Sequence, residues 1–260
     1  MSFKPAGPLA LALLLLSNRA NADQADRLAA PNPPESPFLF MLDPSLPAPG
    51  QTTITVGVGN VTRSAEVRPI GAGPIVPTIG TEIGLLPRLS LLAETAFEPS
   101  PADPGSPVSV AVGLHVLVTD PTSRAFRIAL QLGYGRDLLG ASTTRLAATF
   151  AWRREILEIA AALVATHTFR DAADALDLGA TLAANLRLPA GFRVGVELVT
   201  ADLEELTDPG DEGGAAAFAG PTVGWQRGQR FELVAGPAFG VGPGTQGTIA
   251  LARVAATVRF

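Results

Sequence analysis

Glu82, Glu94, Glu158, Asp177, Glu197 and Glu232 follow one alternating pattern with Arg127, Arg145, Arg153, Arg187, Arg193, Arg230 and Arg253. Each of these charges stands on the polar phase of a stretch whose other phase is apolar. Carboxylates and guanidiniums spaced this way can do two kinds of chemistry. They can pair in bidentate fashion and tie neighbouring segments together, because a desolvated carboxylate needs a cationic partner. They can also line a constriction that selects small polar or anionic solutes, because rings of charge set permeability in pores. Both readings stay open on these residues alone.

Other chemistry is thin. The chain has two histidines, His115 and His167. His115 shares its face with Ser109, Ala111 and Gly113 and has no acid beside it in the chain, so it reads as a structural polar residue. His167 takes the apolar phase near the end of its stretch. A turn at Arg153-Arg154 would set Trp152 opposite Leu157 and Ser142 opposite His167. A serine needs a base within hydrogen-bond reach to act as a nucleophile, and a Ser–His pair on an outer rim would suit a lipid hydrolase. No acid or amide on that phase orients the ring, so the pair reads as interfacial and no enzyme activity is expected.

No metal-ligand cluster or nucleotide motif occurs, and the Gly-x-Gly pairs precede no helix. The absence of cysteine removes thiolate metal sites and disulfides, and no cofactor is expected. A net charge of -5 without a basic run argues against nucleic acid as a partner.

The elements that position these charges have a period of two. Leu176, Leu178, Ala180, Leu182, Ala184, Leu186 and Leu188 alternate with Asp177, Gly179, Thr181, Ala183, Asn185 and Arg187. Phe126, Ile128, Leu130, Leu132 and Tyr134 alternate with Arg127, Ala129, Gln131, Gly133 and Gly135. The same rhythm runs through 54–58, 79–85, 89–97, 108–118, 146–152, 157–169, 192–198, 217–225, 231–241 and 248–260. Alternation of this length marks strands with one apolar and one polar face. The stretch 60–77 fits least well and reads as a long first strand or a first loop.

About twelve strands is an even number, as bacterial single-chain barrels have, and many are long enough to cross a membrane at about 45°. Short connections at Pro87-Arg88, Asp120-Pro121-Thr122, Arg153-Arg154, Pro189-Ala190-Gly191 and Arg227-Gly228 alternate with longer, acid- and glycine-rich ones such as 98–107 and 202–214. Membrane barrels sort their loops by side in this way. Phe126, Trp152, Phe192, Trp225, Phe231 and Phe260 fall near the short-turn ends, with Phe97, Tyr134, Phe169 and Phe239 near the long-loop ends, as two interfacial belts would require. Phe218 departs from the phase assigned to its strand and suggests a bulge. Mean hydropathy is +0.29 although no later stretch is apolar for helix-spanning length, which a barrel explains through its alternate lipid-facing residues.

The expected fold is therefore all-β: a single antiparallel up-and-down transmembrane barrel over residues 52–260. Ahead of it, Lys4, the apolar run 9–16 and Ala20-Asn21-Ala22 read as a secretory signal peptide over 1–22. Residues 23–51 are rich in proline and read as a periplasmic extension, with a plug folded back into the barrel as the alternative. About twelve strands lie between a filled barrel and an open channel, so a narrow or plugged lumen is expected.

The final residues, Arg253-Val254-Ala255-Ala256-Thr257-Val258-Arg259-Phe260, resemble the last strand of Gram-negative outer-membrane proteins. That family ends in Phe with apolar residues at every second place before it. The resemblance implies that Phe260, Val258 and Ala256 form a signal read by the barrel-assembly machinery. Glu82-Ile83-Gly84-Leu85-Leu86-Pro87-Arg88-Leu89-Ser90 is similar to a hairpin of outer-membrane transporters, including those of the phenol and aromatic-degradation type. Together these imply a cell-outer-membrane location, contact with outer-membrane lipid, and small solutes as cargo. A closed structural or surface barrel without transport is the alternative.

Overall fold

The computed structural model describes residues 44–59, 76–97, 108–123, 125–136, 142–169, 175–201, 203, 216–241 and 250–260. Within them lie twelve strands: β1 (Thr52–Gly59), β2 (Val76–Leu86), β3 (Leu89–Phe97), β4 (Val108–Leu117), β5 (Phe126–Arg136), β6 (Ser142–Arg154), β7 (Leu157–Phe169), β8 (Ala175–Arg187), β9 (Phe192–Ala201), β10 (Ala216–Arg227), β11 (Phe231–Gly240) and β12 (Ala250–Arg259). Each pairs antiparallel with its chain neighbours, and β12 returns to β1, closing the sheet into an up-and-down barrel. The seam is sealed at its end by Phe260 N–H donating to the Thr52 carbonyl at 2.9 Å. Closure removes every free strand edge. The expected signal segment lies outside the described residues, as does most of the proline-rich extension.

Side-chain phase decides what each face meets. On the outer wall Leu132, Leu163, Leu182 and Val196 are 58%, 64%, 54% and 52% exposed. The alternate residues point inward and are buried: Arg127, Ala129 and Gln131 on β5, Ala183 and Asn185 on β8. The lumen is thus the core, and much of its wall is small. Ala151, Ala160, Ala162 and Ala183 form one buried cluster across β6, β7 and β8. Alanine and glycine leave volume for long side chains from neighbouring rows, so charge and small residues together fill an interior that leucines would overpack.

Two expectations about register change. The β6–β7 turn is made by Glu155 and Ile156, not Arg153-Arg154, so Arg153 faces Glu158 and Trp152 faces Ile159. This register pairs the two charges on the inner face, and Glu155 adopts φ 51 to make the turn. Phe218 needs no bulge. The β9–β10 ladder runs unbroken from Ala216 to Trp225, and Phe218 keeps the inward phase of Thr222 and Gln226 at 1% exposure. The irregularity sits instead on β2–β3, where the register shifts between Gly84 and Leu86.

The chain before β1 turns back into the barrel. The Gln51 N–H donates to the Ala48 carbonyl at 2.9 Å, closing a tight turn with Pro49 and Gly50 at its corners. Gly50 has φ 81, the left-handed value that a type II turn demands after proline. This reversal sends Pro44, Ser45, Leu46 and Pro47 inside, and all are buried. Leu46 packs on Leu117 and Ala129, both on the inner wall. Gly84 lets the backbone approach: a Cβ there would stand 2.1 Å from the Ala48 oxygen. Of the 23–51 extension, Pro44–Pro47 are thus buried at the short-turn mouth and Pro49 and Gly50 are exposed, while residues 23–43 lie outside the described residues.

Candidate functional site

Most inward charges gather toward the end of the barrel carrying the short turns. Glu158 on β7 accepts a short hydrogen bond from Arg153 Nε on β6, and Arg187 Nη2 on β8 lies 3.5 Å from its other oxygen. Glu232 on β11 has the same arrangement, with Arg193 Nη1 at 3.6 Å and Arg259 Nη2 at 3.1 Å. Arg193 Nη2 also donates a short bond to Gln226 Oε1. Arg187 and Arg193 face each other directly across β8 and β9, which joins the two clusters into one belt. Glu158 is fully buried, and such a carboxylate is stable only with cationic partners this close.

A third cluster lies on β2, β3 and β4. Ser90 Oγ donates to Glu82 Oε1 at 2.5 Å, and His115 Nδ1 is 2.9 Å from the same oxygen. The acid that His115 lacks in the chain is supplied through the sheet. Serine and histidine both bind the carboxylate rather than each other, so the trio holds Glu82 in place and does not form a nucleophile–base pair. Its neighbours Gly84 and Leu117 both touch the inserted segment, which also rests on Ala129.

Of the other residues expected to line the lumen, Arg127, Arg145, Glu197 and Arg253 are buried on the inner wall. Their register partners are small: Ala151 for Arg127, Gly133 for Arg145, Ala183 and Gly220 for Glu197, Gly59 and Gly236 for Arg253. Arg127 Nε also reaches the Ser123 carbonyl at 3.3 Å. Glu94 is half-buried on β3 between Gly80 and Ala111. Asp177 pairs with Thr166 in the β7–β8 ladder, and its side chain lies outside the described residues.

Arg230 is not in the lumen. It is exposed in the β10–β11 turn, where its carbonyl accepts the Arg259 N–H at 2.9 Å. Glu232 is met by Arg259 as well as by Arg193, and alternation within the last strand places Arg259 inward beside Arg253, Ala255 and Thr257. One signal was available: Arg259 is two places removed from Thr257 on the polar phase.

The rim pair also separates. With the turn at Glu155-Ile156, Ser142 faces Phe169 and His167 faces Thr144. Ser142 Oγ accepts a hydrogen bond from the Tyr134 hydroxyl at 2.9 Å, and the His167 ring stands edge-on to Phe169 at 4.5 Å. Neither residue serves the other, which removes the geometry on which a rim hydrolase would rest. Among the described residues there is no group of three or more potential metal ligands.

No protein-family model matches this sequence, and no curated protein matches it. Solved structures match the fold. The NanC porin aligns with a TM-score of 0.55 at 8% identity, covering 79% of this chain and 98% of the porin. The KdgM porin aligns with a TM-score of 0.52 at 9% identity, over 81% of this chain and 99% of that one. An outer-membrane channel from Pseudomonas putida F1 aligns with a TM-score of 0.50 at 10% identity, over 83% and 97%. At these identities the likeness establishes a shared porin-like barrel architecture.

Proposed function

We propose that the chain is a narrow outer-membrane pore or transporter for small solutes, with the charged lumen as its path and residues 44–47 narrowing the short-turn mouth. One observation carries this reading. A closed barrel presents leucine and valine outward at half exposure while arginine and glutamate are turned inward and buried. That partition suits hydrocarbon outside, where an arginine at midplane would cost about 2–4 kcal/mol, and water or counter-charge inside. The likeness to porin barrels supports it. Orientation follows from loop length: the short turns face the periplasm. The inward carboxylates and arginines then set which ions pass, and Phe260, Val258 and Ala256 present the strand that the assembly machinery recognises.

The test is ohmic conductance of refolded protein in planar bilayers. Silence from protein that migrates as a heat-modifiable barrel would overturn transport in favour of a closed structural barrel, which the full burial of Glu158 and Glu197 would then explain.

A further inference from the structure

We infer that the depression between the β8–β9 and β10–β11 turns seats the headgroup of an anionic glycerophospholipid of the inner leaflet. The inference rests on the outer-membrane reading and is independent of transport.

The depression forms where two neighbouring turns meet. Ala190 and Gly191 lie on one side and Trp225 to Gln229 on the other, around an open space of about 540 Å3. Gly191 shapes it: with φ 78 it brings the β8–β9 turn onto β10, and a Cβ there would stand 2.1 Å from the Gln226 carbonyl oxygen. Trp225 and Arg227 take the outward phase at the end of β10, opposite Phe192 and Phe231. The depression therefore lies at the rim, at the depth where amphipathic rings meet headgroups.

Its donors are unused. Arg227 and Arg230 are exposed, and neither side chain has a partner among the described residues. The Trp225 ring stands edge-on to Phe231 at 5.9 Å, and its indole N–H donates to no described group. A guanidinium and an indole N–H lining one open space suit the two free oxygens of a phosphodiester, and Arg230 adds a second positive charge on the same turn. No carboxylate lines the depression. Glu232, the nearest acid along the chain, is buried on the inner face and met by Arg193 and Arg259. A headgroup ammonium thus finds no counter-charge here, while the hydroxyls of phosphoglycerol can meet the exposed Gln229 carboxamide. Toward the membrane, the exposed side chains of Val194, Val223 and Leu233 offer the acyl chains an apolar wall.

The chain has two tryptophans, so Trp152→Phe leaves Trp225 as the sole indole and a reporter of the lipid beside it. The refolded full chain with that change is reconstituted in phosphatidylethanolamine vesicles holding a minor fraction of a phospholipid brominated on its acyl chains. Brominated phosphatidylglycerol should quench Trp225 as though enriched about fivefold over brominated phosphatidylethanolamine, the effect of one arginine at a lipid surface. Arg227→Gln should remove most of that preference. Arg88→Gln, at an exposed arginine of the β2–β3 turn, should leave it unchanged. Trp225→Phe in the parent chain leaves Trp152 as reporter and should show no such enrichment, because that turn sets Glu155 beside Arg154. Heat-modifiable migration verifies the barrel in each variant. Equal quenching by the two lipids, an unchanged preference in Arg227→Gln, an equal loss in Arg88→Gln or the same enrichment at Trp152 would each overturn the subsite. Loss of the preference on adding inorganic phosphate, against chloride at matched ionic strength, would overturn the lipid assignment in favour of a soluble anion. Absence of quenching by either lipid defeats the membrane reading itself, whereas quenching by both alike defeats only the subsite.

Discussion

Leu46→Ala should loosen the segment seated in the short-turn mouth. Leu46 is 7% exposed and rests on Leu117 and Ala129, which are 3% and 0% exposed. Shortening it to alanine removes most of the apolar area that holds residues 44–47 inside. Loss of a buried leucine side chain costs about 2 kcal/mol in transfer alone, at the low end because the vacated space opens toward the mouth. That magnitude shifts a seated-to-released equilibrium about thirtyfold. The chain has no cysteine, so Ser45→Cys provides a single reporter at a buried position. A charged maleimide should label Ser45→Cys slowly in the folded barrel and about thirty times faster when Leu46→Ala is added. The same change should raise the open fraction of single-channel recordings. Equal labelling rates with and without Leu46→Ala would show that the leucine does not hold the segment, and the reasoning from burial would fail.

Gly84→Ala should act on the same segment from the wall side, because its Cβ would meet the Ala48 oxygen at 2.1 Å, and fast labelling of Ser45→Cys would again report release. Glu158→Gln should destabilise the barrel by about 3–5 kcal/mol in urea-unfolding titrations, since it strands Arg153 and Arg187 without their shared counter-charge. Asp120, in the β4–β5 turn, has its carboxyl held below the ordinary aspartate range by the Thr122 hydroxyl, with the Thr122 N–H adding to it at 2.8 Å. A depressed folded pKa stabilises above the unfolded value of about 3.9 and is lost as pH falls through the folded one, so Thr122→Ala should raise the Asp120 midpoint in an NMR titration. Phe260→Ala should leave urea stability nearly unchanged, as the ring is 61% exposed, yet lower the amount of barrel assembled in cells.

The barrel itself was legible in the chain because its cause is local. A strand shows its two faces to two environments, and the alternation of Leu176 to Leu188 with Asp177 to Arg187 records both at once. Strand number, the sorting of short and long connections, and the inward set from Arg127 to Arg253 follow from counting phase along single segments. Arg230 failed because it lies one step past a strand end, where the turn rather than the phase decides direction. The Ser142–His167 pairing failed for a related reason. A shift of the turn from Arg153-Arg154 to Glu155-Ile156 preserves every inward and outward assignment while moving each cross-strand partner by two places.

What the sequence determined by itself is which side chains face outward and which face the lumen, since that depends only on the parity of neighbours in one strand. The tertiary structure alone decided who meets whom inside: Ser90 and His115 on Glu82, two arginines on each of Glu158 and Glu232, and Leu46 on Leu117 and Ala129. Those contacts join residues on different strands, and their identities depend on register, on barrel closure between β1 and β12, and on the turn at Pro49-Gly50. None of these is a property of any short stretch, because each is set by the balance of pairing, packing and desolvation over the whole closed sheet.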